Sequence, residues 1–364
     1  METLRSAGVN PLSEFPFTLR PAPPVFRMYA RITGVGSYIP ARRVSNAELE
    51  KIIPTNDAWI RENIGVVTRS VIAPGETTAD MGSKAAAAAL AQAKRDDIGL
   101  VICATNSPDT LYPATACRIA HNLGLGLVPG YDLQAGCTGF LYALAQAKPY
   151  VETSRKSVLV IGSDALSTGF LWHDDEATNQ PSGDRNAVLF GDGAGAVVLS
   201  PDDRAGILAV ETGAEYSEGI VLRTPYNSAL NSPLKQLENH SARASAQGDY
   251  HTKMNGRAIM KLSLTHVPRA MDAVLRQAGF NARDVSVFLP HQTNRHVISK
   301  LADQIGYPVE NIPDILSRYG SLSTAVIPVS LDMAQQAGQL VPNAAVLMTA
   351  YGAGFTFGAM VMRW

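Results

Sequence analysis

Cysteine, charge and long apolar runs are all scarce in this chain of 364 residues, and each scarcity removes a class of protein. Three cysteines (Cys103, Cys117 and Cys137) are too few for a disulfide framework, and no CxxC or Cys/His spacing suggests zinc. That usage predicts a reducing, cytoplasmic compartment. Charged residues make up 17%, against about 25% in an average domain, and 31 Lys and Arg against 32 Asp and Glu leave a net charge of −1. No whole-molecule field therefore recruits nucleic acid or an anionic membrane, and a charged partner must be met by a local patch. The longest apolar runs, such as Ala85 to Ala91 and Val158 to Ile161, fall far short of the roughly 18 to 20 residues that cross a bilayer. A soluble chain is expected.

What is present argues for a large buried core. Hydrophobic residues make up 46%, which excludes disorder for most of the chain, and 30 glycines in short clusters suggest tight turns and chain buried between layers. Residues 1–27 stand apart: five of the 22 prolines lie between Pro11 and Pro24, without sustained periodicity, and this segment is read as a flexible arm. Glu2, Glu14 and the prolines spoil a signal-peptide pattern.

From Met28 onward β-branched runs alternate with Ala-rich stretches. Strands are expected at Arg31–Ser37, Leu100–Thr105, Ser157–Gly162, Ala187–Ser200, Gly206–Thr212, Val285–Leu289, Ala345–Ala350 and Phe355–Arg363. Helices are expected at Asn46–Lys51, Thr78–Lys94, Ala114–Leu123, Thr138–Glu152, Lys253–Gly279, Asn294–Ile305 and Ser323–Gly338. Strands apolar on both faces, alternating with helices, predict an α/β protein with mostly parallel, covered sheets. A faint internal echo runs through the order. Gln134-Ala-Gly-Cys-Thr-Gly-Phe, a helix, a strand and Phe190-Gly-Asp-Gly-Ala-Gly resemble Tyr319-Gly-Ser-Leu-Ser-Thr-Ala, a helix, a strand and Tyr351-Gly-Ala-Gly-Phe. Two fused α/β halves, 28–200 and 201–364, would explain the echo and place a site between them. The polar stretches Leu166 to Asp184 and Ser217 to Tyr250 are expected to cap a pocket.

Two residues carry candidate chemistry. Cys137 opens a helix in Ala135-Gly-Cys-Thr-Gly, where free backbone N–H groups and the helix dipole favour a thiolate; a small buried hydrophobe is the competing reading. His291 ends an apolar strand in Phe288-Leu-Pro-His-Gln-Thr-Asn, at the carboxyl edge where α/β sheets meet ligands, although a structural histidine is also open. A nucleophile and base separated in sequence and joined by the fold would fit both. His296 lies five residues after His291 with no acidic residue between, which does not suit a metal helix. Gly191-Asp-Gly-Ala-Gly runs into a strand, so it reads as a tight turn and not as a nucleotide loop.

In their order and spacing these motifs, with Gly34-Val-Gly-Ser-Tyr-Ile-Pro, Asn56-Asp-Ala-Trp-Ile and Tyr351-Gly-Ala-Gly-Phe-Thr-Phe-Gly, resemble the ketoacyl-ACP synthase III group of thiolase-like condensing enzymes. The resemblance spans Met28 to Trp364. It implies a five-layered αβαβα fold of two fused, pseudo-symmetric halves, a homodimer, and an acyltransferase that needs no cofactor and takes acyl-CoA or acyl-carrier-protein thioesters as substrates. It also implies Cys137 as nucleophile, His291 as catalytic histidine, and the backbone N–H groups of Cys137 and Ala353 as the oxyanion hole. Trp59 matches the aromatic that stacks on the CoA adenine and Tyr112 the residue that lines the partner's acyl pocket, with ordinary packing as the rival reading for both. Gly256 and Asn294 fall at substrate-binding positions. Arg257 and Lys261 fall on a carrier-docking helix, and Arg295 and Lys300 compensate where His296, Asp303 and Gln304 replace the basic residues usual in the family.

One departure bears on the reaction. The family's third catalytic residue is an Asn, and this chain has Ser321. Losing one such donor costs about 2.7 to 4 kcal/mol, or 10² to 10³ in rate, unless Ser321 acts through a bound water. The substitution therefore points to condensation of a β-ketoacyl thioester, acidic without decarboxylation, with or without closure to a cyclohexanedione or dialkylresorcinol precursor. Decarboxylative condensation with malonyl-ACP and acyl transfer to an alcohol or amine are the alternatives. A thioester hydrolase or a non-catalytic scaffold predicts neither Cys137 and His291 together nor an intact oxyanion turn.

Overall fold

The computed structural model describes residues 28–169, 185–216, 222–223 and 253–364. The arm 1–27 and nearly all of the two expected pocket caps lie outside the described residues.

Two mixed sheets carry the fold. The first has the order β1 (Tyr29–Tyr38), β7 (Gly193–Asp202), β6 (Ser157–Asp164), β4 (Ile98–Ala104), β5 (Gly130–Leu133). Its β1–β7 and β7–β6 ladders are antiparallel, and its β6–β4 and β4–β5 ladders parallel. The second runs β8 (Ile207–Ala214), β13 (Thr356–Arg363), β12 (Ala345–Gly352), β11 (Val287–Pro290), antiparallel twice and then parallel. Strand for strand, the second sheet repeats the order and sense of the first four positions of the first. A short ribbon of β2 (Arg42–Ser45) and β3 (Thr68–Val71) and the pair β9 (Leu222–Arg223) and β10 (Lys253–Met254) complete the described strands.

The expectation of mostly parallel sheets is corrected. Burial on both faces sets the apolar run, whatever the strand's sense. The sense is set by the connection: the short turn from Gly352 to Thr356 forces β12 and β13 antiparallel, whereas a parallel pair needs a long crossover.

Helices form three layers around these sheets. α5 (Gly139–Ser154) and α9 (Val326–Gln336) contact both sheets and fill the middle. Accordingly α5 has no single apolar stripe: Phe140, Leu141, Ala143, Leu144, Ala147 and Val151 are all buried, the large ones each stabilising by about 1.5–3 kcal/mol. α3 (Thr78–Ala93) and α4 (Thr115–Asn122) cover the outside of the first sheet. α6 (Gly256–Ala278) and α7 (Arg295–Ile305) cover the second. α7 is amphipathic, burying Val297, Ile298, Leu301, Ala302 and Ile305 and exposing Arg295, His296 and Lys300. α1 (Asn46–Leu49), α2 (Asp57–Asn63) and α8 (Leu316–Tyr319) are short. Helix, sheet, helix, sheet, helix is the five-layered arrangement expected.

Local chemistry moves several boundaries. The side chain of Asn255 accepts from Ala258 N at 3.1 Å, so α6 starts at Gly256 and not at Lys253. The expected strand Ala187–Ser200 splits into a 3₁₀ turn, Arg185–Val188, and β7, because the Gly191–Gly193 turn intervenes; β7 also runs two residues past the expected seam at 200. The expected helix Ser323–Gly338 opens as a 3₁₀ turn, Ser323–Ala325, before α9. Among the described residues no helix is long and apolar enough to cross a membrane.

Candidate active site

The two central helices, α5 and α9, begin near the carboxyl ends of the strands, and the turns that lead into them hold the candidate residues Cys137 and Ser321. Cys137 lies two residues before α5 and is almost wholly buried. The chain reaches it through Gly136 at φ +57°, a left-handed conformation that suits glycine. Opposite stands the Gly352–Ala353 turn at the end of β12. A β-carbon on Gly352 would come within 2.4 Å of Cys137 N, and one on Gly136 within 2.6 Å of Ala353 N. Only glycines on both sides bring the Cys137 and Ala353 amides into one small space. Thr138 Oγ1 and Thr356 Oγ1, 2.9 Å apart, pin the turn, with Thr356 Oγ1 donating to Ala135 O at 2.9 Å.

His291 follows β11 directly, its N–H donating to Thr349 O at 2.7 Å. Its ring is fully buried and meets Tyr351 edge-on at 5.3 Å between centroids. Among the described residues neither ring nitrogen has a hydrogen-bond partner, and the same is true of Ser321 Oγ and Thr349 Oγ1. Buried polar atoms without partners cost about 1–3 kcal/mol each and are kept where a ligand or reaction uses them. Burial pushes His291 down to about 3, so the ring is neutral, with one N–H to donate and one nitrogen to accept.

Burial pushes the Cys137 thiol up to about 12; a hydrogen bond from Ser323 is the largest opposing influence, and negative charge at Asp164 acts with burial. The expected lowering by the helix start is overturned. The thiol is out of water and Thr138, the capping residue, separates it from the first helical turn. Cys103 is a fully buried strand residue and Cys117 is exposed, and all three cysteines are free.

Ser323 lies two residues beyond Ser321, and its Oγ stands 3.5 Å from Cys137 Sγ. Asn106 Nδ2 donates to that oxygen at 3.1 Å, and Asn106 N donates to the buried carboxylate of Asp164 at 2.7 Å. None of Ser323, Asn106 and Asp164 was singled out from the sequence. A signal existed for the last two, since each follows or ends a fully buried strand at its carboxyl edge, β4 and β6.

The remaining candidates divide. Trp59 on α2 is 50% exposed and Tyr112 is 85% exposed, so Tyr112 is not an ordinary packing residue of the described chain. Gly256 is exposed at the first position of α6. Asn294 is engaged in the fold: its Oδ1 accepts from His296 N at 2.9 Å and its Nδ2 donates to Asn63 O at 2.8 Å, tying α7 to α2. Arg257 and Lys261 on α6 and Arg295 and Lys300 on α7 are all exposed, on helices that pack together. Among the described residues no group of three or more His, Cys, Asp or Glu could hold a metal ion.

Residues 131–215 match the family model for 3-oxoacyl-[acyl-carrier-protein] synthase III, and residues 275–364 the model for its C-terminal part. The chain is 36% identical over 340 residues to the beta-ketoacyl-[acyl-carrier-protein] synthase III of Thiobacillus denitrificans, covering 92% of this chain and 99% of that one. A crystal structure of 3-oxoacyl-[acyl-carrier-protein] synthase III from Aquifex aeolicus is similar with a TM-score of 0.79 and 32% identity, over 92% of this chain and 100% of the other. The priming beta-ketosynthase of the R1128 polyketide pathway is similar at 0.79 and 30%, over 93% and 96%. Fold and relatives together define a condensing enzyme of the acyltransferase type with the thiolase-like architecture. More narrowly, the chain belongs to the ketoacyl-ACP synthase III family.

Proposed function

We propose that Cys137 takes an acyl group from a CoA or carrier-protein thioester and hands it to a carbon nucleophile beside His291. The observation that carries this reading is the buried thiol set against the Gly352–Ala353 turn, with two backbone amides in one small space. In the first step Cys137 sulfur bonds to the thioester carbon, the bond to the carrier sulfur breaks, and the thiol proton leaves with the carrier thiol. Charge on the carbonyl oxygen is met by the Cys137 and Ala353 N–H groups. In the second step a carbanion attacks the acyl-cysteine, the C–C bond forms, and Cys137 departs as the thiolate.

His291 enters the second step neutral. The enolate that forms beside it supplies an opposite charge, which favours the protonated ring that burial by itself disfavours. The ring therefore suits removal of an already acidic proton between two carbonyls. Ser321 presents one unpaired hydroxyl where the family has a longer amide, which supports condensation of a β-ketoacyl thioester, with ring closure to a cyclohexanedione or dialkylresorcinol precursor, over decarboxylation. The second reading is decarboxylative condensation with malonyl-ACP, favoured by the name of the 36% identical relative.

A homodimer is part of the proposal. Leu111, Tyr112, Leu127 and Tyr131 are exposed around β5, the edge strand of the first sheet, a patch that a second copy would cover. Docking of an acidic carrier falls to Arg257, Lys261, Arg295 and Lys300.

Intact mass after incubation with acyl-CoAs of several lengths tests the first step: an adduct is expected, absent in Cys137→Ala. No adduct from any chain length sinks the acyl-enzyme. Products then separate the two readings. A cyclic product from β-ketoacyl and enoyl thioesters supports the first; rapid CO₂ release from malonyl-ACP supports the second, and Ser321→Asn is expected to raise that release by 10² to 10³ if the missing donor limits it.

A further inference from the structure

The thiol of Cys137 has one side-chain hydrogen-bond partner among the described residues, and it is not the histidine. Ser323 Oγ lies 3.5 Å from Sγ, while neither nitrogen of His291 has a hydrogen-bond partner among the described residues. What the hydroxyl does to the thiol depends on which way its proton points.

The neighbours decide this. A hydroxyl has one hydrogen to give and lone pairs to receive. Asn106 Nδ2 donates to Ser323 Oγ at 3.1 Å, so the lone-pair side of that oxygen is occupied and its hydrogen is left for the sulfur. The orientation of the Asn106 amide is in turn fixed by Asp164. Nδ2 lies 3.4 Å from Asp164 Oδ2, and a carboxylate only accepts; a flipped amide could still take the Ser323 proton but would set oxygen against the carboxylate oxygen, and that repulsion selects the orientation in which Nδ2 donates. Asp164 itself is held by Asn106 N at 2.7 Å, Ser107 Oγ at 3.0 Å and Thr324 Oγ1 at 2.7 Å. A fixed carboxylate thus orients an amide, the amide orients a hydroxyl, and the hydroxyl points its proton at the nucleophile.

Backbone strain adds a second, independent observation. Ser323 is buried at φ +52°, in the left-handed region that a β-carbon disfavours. Glycine would sit there with less strain but would bring no hydroxyl. Strained non-glycine residues at such a position are held where the side chain has a use.

We propose that Ser323 is a positioning residue for the nucleophile, its hydroxyl donating to the sulfur of Cys137 and favouring the thiolate, with Asn106 and Asp164 setting the direction of that donation. No proton is transferred by Ser323. As the thiol loses its proton to the departing carrier thiol, the O–H···S contact becomes a charge-assisted bond, stronger than the one to the neutral thiol. The inference rests on Cys137 being the nucleophile. The other groups that act on the thiol do so differently: Asp164 opposes its ionisation by charge, and burial keeps Tyr351 neutral.

The test is the pH profile of alkylation by iodoacetamide on the full chain, followed for each cysteine separately by peptide mass, with exposed Cys117 as internal reference. This reads thiol ionisation and needs no acyl donor, so it stays informative even if the acyl-enzyme fails to form. Ser323→Gly relieves the strained φ and removes the hydroxyl. The expected result is a Cys137 rate about tenfold lower at neutral pH, the equivalent of about one unit in the thiol's pKa, with an unchanged Cys117 rate. Asn106→Asp turns the relay around, since the new carboxylate takes the Ser323 proton, and the Cys137 rate is expected to fall at least as far. A Ser323→Gly profile that superimposes on the wild type in a folded protein overturns the proposal, as does an Asn106→Asp variant that alkylates faster. If Ser323→Gly does not fold, Asn106→Ala leaves the turn intact and carries the same expectation, a smaller loss, with an unmoved profile again overturning it.

Discussion

Asp164 ties the end of β4 to the turn before α9 through one side chain, and its replacement by asparagine should be costly out of proportion to the change in shape. The carboxylate is fully buried at the end of β6. Oδ1 accepts from Asn106 N at 2.7 Å, Ser107 Oγ at 3.0 Å and Thr105 Oγ1 at 3.2 Å; Oδ2 accepts from Thr324 Oγ1 at 2.7 Å and Thr324 N at 3.1 Å. Every neighbour donates, and only a carboxylate can receive on both oxygens. In Asp164→Asn one oxygen becomes an NH₂ group. Hydroxyls can turn to accept from it; the backbone N–H of Asn106 or of Thr324 cannot. One buried N–H is thus stranded, at about 1–3 kcal/mol, and the bonds that remain lose charge assistance worth roughly another 1–2 kcal/mol in sum. The expected loss is about 2–5 kcal/mol. Equilibrium urea unfolding of the full chain measures it, with Thr324→Val and the double variant closing a cycle whose coupling should exceed about 1 kcal/mol. A loss below about 1 kcal/mol, or additive behaviour, would show that the carboxylate is not the tie described.

Two further outcomes follow from the geometry. Gly352→Ala places a β-carbon 2.4 Å from Cys137 N, so the turn must retreat from the thiol; acylation should slow by about 10² to 10³, as for the loss of one oxyanion donor, and an adduct that forms at the wild-type rate would refute the arrangement. His291 is pushed from 6.5 to about 3 by burial, so between those values the unfolded chain holds a proton that the folded chain refuses. Stability should therefore fall as pH drops from about 6.5 toward 3, by up to about 1.4 kcal/mol per unit from this one group, and be untouched by it above that window. Melting temperature against pH should be shallower on the acid side in His291→Asn, and parallel curves would count against a neutral buried ring.

Reading the sequence worked best where burial wrote a long pattern. The runs 98–104, 157–164 and 345–352 are buried at every position, and the strands expected there formed within a few residues. It failed where an element is short or packs weakly. β2, β3 and β5 have four residues each with no apolar run, and α2 buries only Ile60, so neither period is visible. Cys137 and His291 were legible as residues because each stands at the end of a regular element, the kind of position that chemistry uses. The ionisation of Cys137 was misjudged, because a helix start is visible in a sequence and the loss of water around a sulfur is not.

By itself, then, the sequence determined which segments are buried, where small residues allow tight turns, and which cysteine and histidine stand at their edges; these are local properties, set by side-chain type and spacing. Tertiary structure alone decided the rest. Strand sense came from connections, the pairing of the Cys137 and Ala353 amides came from two glycines more than two hundred residues apart, and the contact of Ser323 with Cys137 spans 186 residues of chain. No spacing rule encodes such meetings, because the entropy of closing so long a loop is offset by the whole core around it and not by any pattern within the loop.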